Sequence, residues 1–258
     1  MSPAAGFLGE LIGLRGQTGN PNVADKDSAA SMAIARHMLE ALGLSENRVA
    51  VEGQTGGSLM ERLVADDLRG RLAELAPERR WLVDRPGLKL SRFAQYGHLA
   101  TLQRLIEQDE TGVLGMAIGR EYEVAPDVTV GLVLGGGAEG AGAATESLPL
   151  LHATVSCKLT IRSDRVQNIR QESAVLTRQR RGRLPHVVAV TAEPLPSRIA
   201  SIARGTGDVD AVYHPAFDEL REAVQASGTA AQQEILDELV GQGRLLDYDG
   251  LARTLAVS

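Results

Sequence analysis

The reactive side chains of this sequence concentrate in Ser156-Cys157-Lys158-Leu159-Thr160-Ile161-Arg162-Ser163-Asp164-Arg165, with Glu172 seven residues further on. Lys158 closes an apolar, β-branched run over residues 151–161 that alternates as a core strand does. A lysine carried into a core costs free energy unless it is paired or working. Upstream, Pro126-Asp127-Val128-Thr129-Val130 places an acid where a second strand begins. Thirty residues lie between Asp127 and Lys158, and thirteen between Lys158 and Glu172. Neighbouring strands can bring the first two together, and a following helix can fold Glu172 back onto them. Two carboxylates and an amine so gathered are the parts of a metal-assisted phosphodiester hydrolysis. The metal stabilises the developing charge and helps deprotonate a water, and Mg²⁺ takes oxygen ligands, one or two of them carboxylates. The lysine would orient the attacking water. Each residue also has a plainer role: Pro-Asp as a turn, Glu172 as a surface carboxylate, Lys158 as a strand-end lysine snorkelling to water.

These residues need a scaffold, and the periodicity supplies one. Residues 1–25 read as irregular, with turn chemistry at Gly16-Gln17-Thr18-Gly19-Asn20-Pro21. A helix is expected over 28–44, capped by Asp25 or Asp27. Gly53-Gln54-Thr55-Gly56-Gly57 reads as a loop before a second helix, 58–75, whose Ser58-Leu59-Met60-Glu61 fits a capping box. Residues 78–90 read as a connector, and a third helix is expected over 95–108. Strands follow at 124–134 and 151–161, joined by a Gly/Ala-rich stretch, then a helix at 165–179 and a strand at 185–191. A short helix (197–203), a short strand (210–213) and C-terminal helices complete the pattern. No linker separates two cores, so residues 1–258 are expected to form a single α/β domain with a central mixed sheet flanked by helices.

Composition narrows the function. The chain has 258 residues, a net charge of −6 and few aromatics, so a stacking platform for single-stranded nucleic acid is not expected. The average charge misleads: residues 158–183 hold eight basic residues and two acids, about +6, leaving about −12 elsewhere. Such a basic segment can be an electrostatic footprint for nucleic acid, or only a solvated helix face. No apolar run reaches membrane-spanning length, no secretion signal is evident, and the single cysteine fits a reducing cytoplasm. Cys157 reads as a small buried hydrophobe. The glycine-rich run 135–142 lacks the lysine and hydroxyl ending of a phosphate loop, and the five histidines show no i, i+4 pair suited to zinc.

The run from Ser156 to Glu172, Leu184-Pro185-His186-Val187-Val188 with Thr191-Ala192-Glu193-Pro194-Leu195-Pro196-Ser197-Arg198, and Gly205-Thr206-Gly207-Asp208-Val209-Asp210 together resemble the NgoMIV family of type II restriction endonucleases, in the CCGG-recognising branch of the PD-(D/E)XK nucleases. The resemblance covers most of the chain and implies a restriction-endonuclease-like core. It implies Asp127, Lys158, Glu172 and Glu61 as the catalytic set. Asp127, Glu172, the Cys157 main-chain carbonyl and, through water, Glu61 would hold Mg²⁺, two ions per site. The position two before Lys158, usually acidic, is Ser156; in this branch the acid is displaced to the next helix, where Glu172 stands. Asp109 and Glu121 are fallbacks for Asp127. Arg162, Asp164 and Arg165 match the CCGG reader, Gln54 a minor-groove contact, and Asp25 with Arg198 the readers of the outer G·C pair. The physics agrees, since an arginine fork donates to guanine O6 and N7 and an aspartate accepts from cytosine N4. The implied substrate is double-stranded DNA at GCCGGC, cut after the first G. A palindrome calls for at least a dimer, and the resemblance implies a tetramer. It also implies a cognate DNA methyltransferase acting on the same site without stable binding, and a cytoplasmic enzyme with no membrane partner. The alternatives are another nuclease of the same fold, or a non-catalytic DNA-binding module.

Overall fold

The computed structural model describes residues 3–49, 54–119, 124–134, 148–205 and 208–258, with backbone alone at 3–5, 54 and 163–165. In chain order the elements are α1 (Pro3–Leu11), β1 (Leu14–Arg15), α2 (Ala29–Ala41), β2 (Arg48–Val49), α3 (Gln54–Leu75), β3 (Trp81–Asp84), α4 (Gly97–Glu107) and α5 (Val113–Ile118). Then come β4 (Val128–Leu132), β5 (Leu150–Lys158), α6 (Ser163–Gln179), β6 (His186–Thr191), α7 (Pro196–Ala203), β7 (Ala211–His214), α8 (Phe217–Ser227), α9 (Ala230–Gly241), β8 (Leu245–Asp247) and α10 (Leu251–Val257).

Six strands form one mixed sheet in the order β3-β4-β5-β6-β7-β8. The β3–β4 and β4–β5 pairs are antiparallel; β5 to β8 run parallel, with helices in the crossovers. This is the expected mixed α/β sheet flanked by helices, the architecture of restriction-endonuclease-like proteins. The main core packs Ala153, Val155 and Cys157 of β5 and Val188 and Val190 of β6 against Met60, Val64, Leu68 and Leu72, which recur along one face of α3. A second cluster on the other side joins Phe93, Tyr96, Leu99, Leu151 and Leu176. The β4–β5 register slips between Val130 and Gly131, which face Ala153 and Leu151. The extra residue, His152, turns Leu151 to the opposite face from Ala153. Period two then puts Thr154, Ser156 and Lys158 away from the main core.

Several local expectations change. Residues 1–25 include the helix α1, and the expected connector contains β3, whose four residues are too few to show alternation. The cap of α2 is Ser28, whose hydroxyl accepts from the Ser31 amide, and neither Asp25 nor Asp27. Helix α3 begins at Gln54, so the Gly56-Gly57 pair lies in its first turns and Ser58 heads no capping box. Tertiary packing overrides the glycine penalty there. The strand expected over 124–134 is confined to Val128–Leu132, and β8 and α5 add elements with no clear periodicity.

Candidate active site

Asp127 stands immediately before β4 and Lys158 is the last residue of β5, so the antiparallel pairing of these strands joins positions distant in sequence. Asp127 Oδ2 accepts from the Lys158 ammonium at 2.6 Å and from the Cys157 amide at 2.8 Å. Both ionic side chains keep about a fifth of their surface accessible, so the pair lies at the rim of the core. The loop carrying Asp127 is fixed from beside it: the Gly87 amide donates to the carbonyls of Pro126 and Asp127, each at 3.0 Å. A Cβ at Gly87 would fall 2.3 Å from the Pro126 oxygen, so only glycine allows this approach.

Glu172 is no surface carboxylate. It shares the inward face of α6 with Ile169, Ser173 and Leu176, all buried, at the i, i+3, i+4 spacing of one helix face. Burial first and the Asp127 charge second push its carboxyl up to about 7, against the opposing pull of Lys158. Glu61, on α3, is raised from its ordinary value by burial and then by Asp127, against the pull of Arg85 and Lys158. Arg85 Nε lies 3.5 Å from Glu61 Oε2. Thus Asp127, Lys158, Glu172 and Glu61 share one electrostatic neighbourhood. The Cys157 thiol is buried and its acidity is pushed well above the ordinary value, so it stays protonated. Among the described residues no three of the side chains of His, Cys, Asp or Glu approach closely enough to hold an ion by themselves. Asp109 is committed to the turn before α5, where it accepts from Thr111 and Leu114; Glu121 lies outside the described residues.

Beyond the end of β5 a cleft of about 780 Å³ opens, lined by Arg15, Asp25, Lys26, Arg162, Gln167 and Arg198 among others. Arg162 is the exposed N-cap residue of α6. Asp25 accepts from its own loop through the Asp27 amide at 3.0 Å and forms a short ion pair with Arg198. These two bonds hold its carboxyl below the ordinary range, with a further contribution from Arg162. Three residues expected to read DNA therefore share one cleft. The side chains of Asp164, Arg165 and Gln54 lie outside the described set, though Asp164 and Arg165 occupy the first turn of α6 as expected. Arg170, counted in the basic run, is instead structural: it donates to the carbonyls of Ser201 and Arg204 at the end of α7. Arg85 beside the acids, and Arg15, Lys26 and Gln167 in the cleft, escaped the sequence reading, which holds no spacing signal for them.

The NgoMIV restriction enzyme family model matches residues 9–139 and 134–257. The chain belongs to the NgoMIV restriction enzyme family. Its sequence is similar to the type II restriction enzyme NgoMIV of Neisseria gonorrhoeae, with 36% identity over 256 residues, covering 91% of this chain and 89% of that protein. As a member of this family it is a type II restriction endonuclease, a site-specific deoxyribonuclease. Family membership excludes the non-catalytic binding module as the description of the whole chain. No helix among the described residues is long and apolar enough to cross a membrane.

Proposed function

We propose that the chain cleaves double-stranded DNA at GCCGGC, after the first G, in a Mg²⁺-dependent reaction carried by Asp127, Lys158, Glu172 and Glu61. The observation that carries this reading is the contact of Lys158 with Asp127 in the shared field of Glu172 and Glu61, one turn of chain from the arginine-lined cleft. The donor chemistry fits Mg²⁺. The Asp127 charge acts on both Glu172 and Glu61, whose pKa values are raised first by burial and then by that charge, so an added cation beside Asp127 would relieve unfavourable charge. Mg²⁺ asks for only one or two carboxylates, the rest being water and phosphate oxygens. Asp127, Glu172 and the Cys157 carbonyl would hold one ion, with Glu61 assisting a second through water. Bound there, Mg²⁺ supplies Lewis-acid stabilisation of the phosphoryl oxygens and a more acidic water.

The protein's own groups do the rest. The Lys158 ammonium, fixed by Asp127, orients the attacking water and stabilises its hydroxide form. The Cys157 amide and the Gly87 clasp keep the Asp127 carboxylate from turning away. On the recognition side, Arg162, Asp164 and Arg165 enter the major groove from the start of α6 and read CCGG. Asp25 and Arg198 satisfy each other in the free protein and exchange their ion pair for contacts with the outer G·C pair. Gln54 approaches the minor groove at the central base pairs. The palindrome requires two copies related by a two-fold axis, and a tetramer of two such dimers is part of this reading. So are a cytoplasmic site of action and a cognate methyltransferase that protects GCCGGC. Incubation with sequenced plasmid and Mg²⁺, followed by mapping of fragment ends, tests it. CCGG overhangs at every GCCGGC are expected; ends at unrelated sequences, or unchanged cutting in EDTA, would overturn it.

A further inference from the structure

Glu193 has no part in the chemistry above, yet it is fully buried. It follows β6 by two residues, and the last residue of β6, Thr191, is in register with Lys158. Its Oε2 accepts from the Ile161 amide at 2.8 Å and its Oε1 from the Leu195 amide at 3.2 Å. Its own amide donates to Thr191 Oγ1 at 3.2 Å. Ile161 immediately precedes Arg162, and Leu195 is the N-cap residue of α7, the helix that carries Arg198. Arg198 Nη1 stands 4.0 Å from Glu193 Oε2 while Nη2 donates to Asp25. One carboxylate therefore joins the two chain segments that deliver arginines to the cleft.

We propose that ionised Glu193 is a positioning residue for sequence discrimination, fixing the Arg162 turn relative to Arg198 so that both meet base edges together. The inference rests on the cleft being the DNA-reading surface. A protonated carboxyl has one fewer acceptor for the two amides and no charge to hold Arg198. Two charged side chains act on it, Arg198 from α7 and Asp25 from the loop before α2; Arg162 from the start of α6 acts in turn on Asp25, and His214 from β7 meets the Glu193 main chain. Asp25 is held ionised by its hydrogen bonds to the Asp27 amide and Arg198. Burial holds His214 neutral, its value lowered to about 4. Burial pushes Glu193 up to about 7, so within this set it is the group whose charge changes near neutrality.

Glu172 titrates in the same range, so the readout is binding in EDTA rather than cleavage. Affinity is measured for a duplex carrying the site mapped from plasmid ends and for an unrelated duplex, between about pH 6 and about pH 8. The wild-type ratio of the two should rise with pH. Glu193→Gln should lower the ratio at the upper pH by about five- to 150-fold, the equivalent of the roughly 1–3 kcal/mol one good base contact supplies. It should leave unrelated DNA bound as before and flatten the pH dependence. Wild-type discrimination in Glu193→Gln would overturn the proposal. Should that variant fail to fold, the same profile measured in Glu172→Gln decides: a rise that persists there supports the role and a flat ratio removes it. Because the duplex carries the mapped site, a site other than GCCGGC would sink that assignment and not this one.

Discussion

Glu172→Gln should make the metal-free protein more stable at alkaline pH while stopping cleavage. Glu172 is turned inward on α6, and burial followed by the Asp127 charge moves its carboxyl from an ordinary 4.5 to about 7. At about 1.36 kcal/mol per unit this is an upper bound of roughly 3 kcal/mol. Solvent reaches part of the side chain, so about 1–2 kcal/mol is the expected size. The folded protein binds this proton more tightly than the unfolded chain does. Between about pH 4.5 and 7 the folded state therefore holds more protons, and stability falls as pH rises through that window, then levels off. Glutamine does not ionise and escapes the loss. In EDTA at about pH 8 the variant should melt roughly 2–8 °C above wild type, and near pH 4.5 the two should converge. Glu193 titrates alike in both proteins and cancels in the difference. Mg²⁺ should raise the wild-type melting temperature and move that of the variant less. Calorimetric melts at the two pH values provide the check. A variant that melts at or below wild type at the higher pH, or whose advantage ignores pH, would refute the argument that this carboxyl is held against its preference.

Lys158→Ala should abolish cleavage and keep specific binding, since the amine meets Asp127 rather than the cleft arginines; cleavage and gel-shift assays on one preparation separate the two, and substantial residual cutting would remove its assigned role. Arg165→Ala should cost roughly 1–3 kcal/mol of base discrimination, read as the affinity ratio between the mapped site and single-base variants; an unchanged ratio counts against the reader assignment. Gly87→Ala should destabilise by about 1–3 kcal/mol through overpacking against the Pro126 carbonyl and should depress cleavage by displacing Asp127; a wild-type melting curve and rate would show that the clasp is dispensable.

The sequence carried those parts of the site that follow a period. Ile169, Glu172, Ser173 and Leu176 already mark one helical face, so the inward direction of Glu172 was available before any coordinates. The alternating run ending at Lys158, and the strand beginning after Asp127, likewise announced neighbouring strands. Short elements were not legible. Trp81-Leu82-Val83-Asp84 lies between two prolines, and Leu245–Asp247 has three residues, too few for any pattern to separate from chance. Helix α3 ran through a glycine pair that local propensity assigned to a loop, because Met60, Val64 and Leu68 hold it to the core. Arg85 and Glu193 were hidden for another reason. Their roles depend on what lies across the fold, Glu61 for one and the Ile161 and Leu195 amides for the other, and no interval along the chain encodes such contacts.

On the proposed residue roles, the parallel β5–β6 pair would make reading and cutting one event. Lys158 ends β5, and Arg162 follows after only three residues, so the proposed water-positioning amine and the proposed first base reader share a single short lever. That lever is stiff at both ends. Asp127 holds Lys158 directly, and Glu193, reaching over from the end of β6, holds the amide just before Arg162. A base pair that fails to accept the Arg162 turn must either leave the arginine unpaired or shift the segment. Shifting it drags Lys158 off the Asp127 carboxylate, where a displacement of about an ångström is costly to rate. The wrong sequence is thus penalised twice, once in binding and again in the alignment of the attacking water. Discrimination measured by cleavage should then exceed discrimination measured by binding.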